Sequence, residues 1–237
     1  VSYRAEYQEQ ITQQRSYKGV RIGYFLLTSL IIGVVLLYLE YYAKEVFERL
    51  SHLVFVLLWL VLYSYLVFAV EQADILSAYI IPFCIVPIII KNFFNDRLAI
   101  FTHVVVVLIA SFLSSLGYEF TFIQILAGIV AVLSNMDTRD WSKFFYSIGF
   151  IFITYALSYL GLSLIQEGTL ETIDWQMYNW LFINVFLTLL AYPLIPLLER
   201  LFGFTSSISL IELSDMNRPL LRELALKAPG TWQHSLQ

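Results

Sequence analysis

The sequence predicts an all-α polytopic membrane bundle of about seven transmembrane helices with a short cytoplasmic helical tail. Three observations carry that prediction. Of 237 residues, 59% are hydrophobic and 14% charged, with a mean hydropathy of +0.74, whereas soluble domains hold roughly 45–50% apolar and about 25% charged residues. Apolar runs follow one another, each near the ~20 residues a helix needs to cross a bilayer. The lysines and arginines between those runs fall on alternate loops.

Residues 1–21 are polar and read as an extracellular juxtamembrane tail of a domain upstream. The transmembrane region, 22–202, holds apolar runs at 22–39, 53–70, 76–90, 98–116, 120–136, 144–165 and 178–198. The third and fifth are short, and are expected to be tilted, kinked or partly re-entrant. Pro82 and Pro87 interrupt the third, and Pro193 and Pro196 the seventh. A proline frees carbonyls and bends a membrane helix. Such kinks serve packing on one reading and relay motion on the other, which makes Pro193 and Pro196 candidate signal-relay positions. Aromatic residues cluster at the run edges: Tyr38, Tyr41 and Tyr42; Trp141, Phe144 and Tyr146; Trp175, Tyr178 and Trp180. Amphipathic rings favour the membrane interface.

Loop charges set the orientation. Odd loops carry Lys44 and Arg49, Lys91 and Arg97, and Arg139 and Lys143; even loops carry Glu71, Asp74, Glu119, Glu167, Glu171 and Asp174, and no Lys or Arg. Basic loops stay in the cytoplasm, so seven spans put the N-terminus outside and the C-terminus inside. Arg200, Arg218, Arg222 and Lys227 agree. Arg4, Arg15, Lys18 and Arg21 of the leader do not. A large exported domain behind its own anchor would carry them across regardless. The chain is therefore expected to be a piece of a longer protein, preceded by an exported domain and a further hydrophobic segment.

Few ionisable groups interrupt the runs, each of which would cost about 2.5–3.5 kcal/mol at the centre of a span. His103 lies in the fourth run and reads as structural; His52 opens the second and reads as interfacial. Asn184 and Gln124 read as interhelical hydrogen-bond partners. Glu199 and Arg200 end the seventh run as an interfacial pair. Cys84, the single cysteine, reads as a small buried hydrophobe. Paired midplane carboxylates, a filter sequence and a His-Glu-x-x-His motif are all missing from the sequence. The runs therefore read as a scaffold or signal-transmitting bundle.

Residues 203–237 form a linker and the start of a soluble helical domain. Gly203 stops the seventh helix, Asn217 caps a new one with Pro219 in its first turn, and Leu220, Leu221, Leu224 and Ala225 share one face. Pro229 and Gly230 end it, and Thr231 caps a helix containing His234. By itself, His234 reads as a structural histidine before it reads as a metal ligand.

The string from Glu212, Asp215, Asn217, Pro219 and Leu224 to Ala228-Pro229-Gly230-Thr231-x-x-His234-Ser235 resembles the opening of the HD domain in bacterial seven-transmembrane HD phosphohydrolases. Ile81-Pro82 through Asp96-Arg97-Leu98-Ala99 is similar to the family's third-to-fourth helix region. Arg218 and Gln233 stand where the family often has His. The resemblance implies a bacterial inner-membrane receptor: an anchored extracellular domain, seven spans, then a cytoplasmic HD domain that cleaves cyclic di-AMP. It implies His234 as first ligand of a two-metal centre of iron or manganese, with no catalytic residue and no complete metal site inside this chain, which alone should be inactive. Expected partners are the lipid bilayer, a cyclic dinucleotide, an unidentified extracellular ligand and a homo-oligomeric copy, not DNA or RNA. A transporter or channel bundle, and a passive anchor for a hydrolase, are the alternatives.

Overall fold

A computed structural model of the chain describes residues 2–73, 75–134, 141–171, 173–206, 210 and 226–227. Among them the secondary structure is helical throughout: α1 (Ser2–Tyr42), α2 (Lys44–Glu48), α3 (Leu50–Glu71), α4 (Ile85–Phe93), α5 (Asp96–Ser111), α6 (Gly117–Leu133), α7 (Trp141–Glu167), α8 (Trp175–Thr188) and α9 (Ala191–Phe202), with one 3-10 turn at Ala78–Ile80.

The surface explains the composition. In α3, Phe55, Trp59, Tyr63 and Val67 recur every four residues and are buried, while Val54, Leu58, Val61, Tyr65 and Phe68 are exposed. In α7, Phe144, Ser147, Ile151, Tyr155 and Leu162 are buried, with Phe145, Phe150, Ile153 and Leu157 outward. One stripe packs inward, and the opposite face is apolar too, so lipid must cover it. α4 is central: Ile85 through Ile90 are all buried, against α5, α6 and α9. α1 is peripheral, with Val35 and Leu39 buried, and leans on the bundle where Tyr38 stacks on Phe101 with ring centroids 3.7 Å apart.

Among the described residues, fewer than seven helices pass as uninterrupted spans. Three of the described helices, Lys18–Tyr42, Leu50–Glu71 and Lys143–Glu167, are long and apolar enough to cross a membrane, and α8 with α9 makes a fourth if the bent pair is one span. The third run is broken by Pro82, which forces the preceding residue out of the helical region: Ile81 sits at φ −73°, ψ 121°. Helix resumes only at Ile85, with Pro87 tolerated in the first turn. The seventh run breaks at residues 189–190 and bends by 42°. Pro193 can give no N–H to Leu189, and its ring crowds that carbonyl, so the bend falls four residues before it. The fourth run stops at Ser111 rather than 116, and the fifth starts early, at Gly117. Asn95 starts α5, its Oδ1 accepting from the Leu98 N–H at 2.9 Å. Asp174 starts α8, accepting from the Gln176 N–H at 2.8 Å.

Contacts gather the loops at two ends. At the acidic end Glu71 accepts from the Ser115 N–H at 3.0 Å, Gln166 donates to Glu119, and Tyr159 donates to the Asp174 carbonyl. At the basic end Lys91 donates to the Val132 carbonyl at 2.6 Å and pairs with Asp96 at 3.4 Å, while His52 packs on Phe94 and Phe204. Among the described loop residues, charge alternation is thus an alternation in space.

Candidate functional site

A helix interrupted inside an apolar bundle exposes carbonyls that lipid cannot satisfy. Residues 78–84 are such an interruption, and side chains from the surrounding helices converge on it. Tyr63 Oη on α3 donates to the Pro82 carbonyl at 2.8 Å. Asn184 Nδ2 on α8 donates to the carbonyls of Tyr79 and Ile81, at 2.8 and 2.6 Å. The Ile81 carbonyl also accepts from the Phe83 N–H, and that of Pro82 from the Ile85 N–H. Thr188 ties back to the Asn184 carbonyl at 3.0 Å.

A second chain of bonds runs beside the first. Tyr155 on α7 donates its hydroxyl proton to Gln124 Oε1 on α6, at 2.6 Å, and lies 3.4 Å from Cys84 Sγ. With the tyrosine proton committed to Gln124, the thiol must be the donor to Tyr155. His103 Nε2 on α5 lies 2.8 Å from the Gln124 carbonyl. A carbonyl only accepts, so Nε2 carries the proton and Nδ1 presents a lone pair. Gly128, one turn on from Gln124, makes room for that ring, since a Cβ there would collide with the imidazole.

His103, Gln124, Asn184 and Tyr155 are fully enclosed. His103 Nδ1, Gln124 Nε2, Asn184 Oδ1, Tyr79 Oη and Thr102 Oγ1 find no hydrogen-bond partner among the described residues. The buried polar side chains described are Thr, His, Gln, Ser and Asn, with no Asp, Glu, Lys or Arg among them. The hub can therefore hold a broken helix by directional bonds. It offers no carboxylate for acid–base work.

Asn184 and Gln124 occupy the interhelical roles expected of them. His103 bonds across the α5–α6 contact, His52 packs between Phe94 and Phe204, and the Glu199 carboxylate accepts from the Ser206 N–H at 2.7 Å. Cys84 is buried as expected, but it bonds Tyr155 rather than serving only as a hydrophobe. Tyr63, Tyr79 and Tyr155 are hub residues that the sequence pattern does not single out. Their signal was position: interfacial tyrosines belong at span ends, and Tyr63 and Tyr155 lie mid-helix. Pro193 and Pro196 lie in α9, beyond the bend. The caps and apolar face expected at Asn217–Ala225, together with Pro229, Gly230, Thr231 and His234, lie outside the described residues. Among the described residues no group of three or more His, Cys, Asp or Glu could hold a metal ion.

A family model described as "7TM receptor with intracellular HD hydrolase" matches residues 19–206. The chain is similar to the cyclic-di-AMP phosphodiesterase PgpH of Listeria monocytogenes, 30% identical over 167 residues that make up 67% of this chain and 23% of that protein. It is 29% identical to PgpH of Bacillus subtilis over 166 residues, again 67% of this chain and 23% of the relative. An uncharacterized Synechocystis protein is 33% identical over 164 residues, 64% of this chain and 19% of its own length. The chain thus spans less than a quarter of the curated relatives it matches. No solved structure matches it significantly.

Proposed function

The chain belongs to the family of 7TM receptors with an intracellular HD hydrolase, and from that premise we propose that it is the membrane region of a signalling receptor whose cytoplasmic HD domain hydrolyses a cyclic dinucleotide, cyclic di-AMP to linear pApA. The observation that carries this reading is the string Ala228-Pro229-Gly230-Thr231-x-x-His234-Ser235 just behind the matched region. The names of the Listeria and Bacillus relatives supply the substrate.

In this reading the seven apolar runs each cross the membrane, the broken third and bent seventh included. The basic end faces the cytoplasm and the acidic end the exterior. α1, 41 residues and about 60 Å long, links the bundle to an exported sensing domain. His234 supplies one imidazole to a two-metal centre completed by residues further along the parent protein. When bound, such metals polarise the phosphate and supply hydroxide at neutral pH. The neutral hub favours a bundle that changes its hydrogen bonds over one that conducts ions, since ion-coupled transporters place ionisable groups near the midplane.

The test is hydrolysis of cyclic di-AMP by the full-length parent in membranes, with manganese or iron added and with a chelator. Linear pApA formed only with metal supports the reading. Metal-loaded membranes that leave the dinucleotide intact would overturn it.

A further inference from the structure

The chain leaves the bundle through an aromatic cage. Gly203 ends α9 at φ +69°, a conformation that favours glycine, and its N–H bonds the Glu199 carbonyl at 2.9 Å. The turn carries Phe204 back against the basic end. Its ring lies 4.5 Å from His52, edge-on at 90°, and 5.4 Å from Phe55, both at the start of α3. It lies 6.0 and 6.3 Å from Phe93 and Phe94 at the end of α4, and 5.5 Å from Phe202. Ser206, two residues on, is fully buried, its N–H held by the Glu199 carboxylate at 2.7 Å.

The two helices that close this cage both lead back to the hub. α4 begins just after the unwound segment held by Tyr63 and Asn184. α9 begins at the bend, just after Thr188, whose hydroxyl bonds the Asn184 carbonyl one turn back. α4 and α9 thus connect the hub to the basic end, and Phe204 touches both of them and α3.

We propose that the cage is the coupling between the bundle and the chain that follows it: seated, Phe204 fixes the start of the linker to the bundle, and released, it frees it. This rests on the receptor reading above, in which that linker leads to the hydrolase.

The test uses the full-length protein in lipid nanodiscs, with native cysteines other than the buried Cys84 replaced and Ser206→Cys added as the probe for a water-soluble maleimide. Phe204→Ala, and independently Phe94→Ala, should raise the labelling rate at least tenfold, and Phe204→Tyr should restore it. Tyr63→Phe, remote from the cage, should change the rate at least threefold. A merely structural cage would not respond to it. Unchanged labelling in Phe204→Ala or in Tyr63→Phe would overturn the proposal. Hydrolysis of cyclic di-AMP by Phe204→Ala should differ at least threefold from wild type. An equal rate, with labelling raised, would reduce the cage to a passive anchor and overturn the coupling. A wild type that hydrolyses no cyclic dinucleotide would defeat the functional reading, and the Tyr63→Phe labelling would still decide the coupling.

Discussion

The imidazole of His103 occupies the space that a side chain on Gly128 would fill, so α5 and α6 meet at this level only because position 128 has no Cβ. An alanine in a helix interior is ordinarily favoured over glycine by about 1 kcal/mol, whereas forcing atoms into a packed core costs about 1–3 kcal/mol. Gly128→Ala should therefore destabilise the bundle, read as a lower melting temperature in detergent. In a His103→Ala background the same substitution should become neutral or stabilising. Equal destabilisation in both backgrounds would show that the two residues are not coupled.

The carbonyls of the broken segment rank the hub residues. Asn184→Leu removes both side-chain donations, and the Tyr79 carbonyl loses the donor that serves it. That orphaned acceptor should cost about 1–3 kcal/mol. Tyr63→Phe removes one bond to a carbonyl that still accepts from Ile85, and should cost nearer the ~0.6 kcal/mol average for membrane hydrogen bonds. Reversible unfolding in mixed micelles measures both. The reverse order would contradict the account of the break.

Pro193 sets the bend in the seventh run. Pro193→Ala restores an N–H for the Leu189 carbonyl and should straighten α8 against α9. Removing a 42° bend from this pair lengthens its end-to-end distance by about 3 Å at 1.5 Å per residue. Spin labels at positions 175 and 202 would report it. An unchanged distance would mean that packing, not the proline, makes the bend.

Much of this arrangement is legible in the sequence because lipid imposes simple rules. Loop charge, edge aromatics and the intramembrane Asn184 and Gln124 each have one dominant physical reason to be where they are. The hub was less legible because it depends on which carbonyls a broken helix leaves free. Pro82 announces a break, but not that Tyr63 from α3 and Asn184 from α8 will reach it. Tyr63 and Tyr155 read as ordinary members of an aromatic-rich chain until their partners are known. Phe204 gave no signal at all: its meaning lies in the reversal at Gly203 and in partners from two distant helices.

His234 carries the chemical prediction. His234→Ala in the full-length parent should lower cyclic di-AMP hydrolysis at least about 100-fold, as loss of a metal ligand should exceed the 10–100-fold effects of outer-shell changes. Metal content measured on the purified protein should fall with it. Full activity in the variant would remove His234 from the metal centre.

Threading through the membrane decides the rest. A green fluorescent protein fused after Gln237 folds and fluoresces only on the cytoplasmic side when exported through the general secretory route. The account predicts bright fluorescence from that fusion on the full upstream sequence. A dark, exported fusion would place the basic end outside, and the hydrolase could not follow the bundle as proposed.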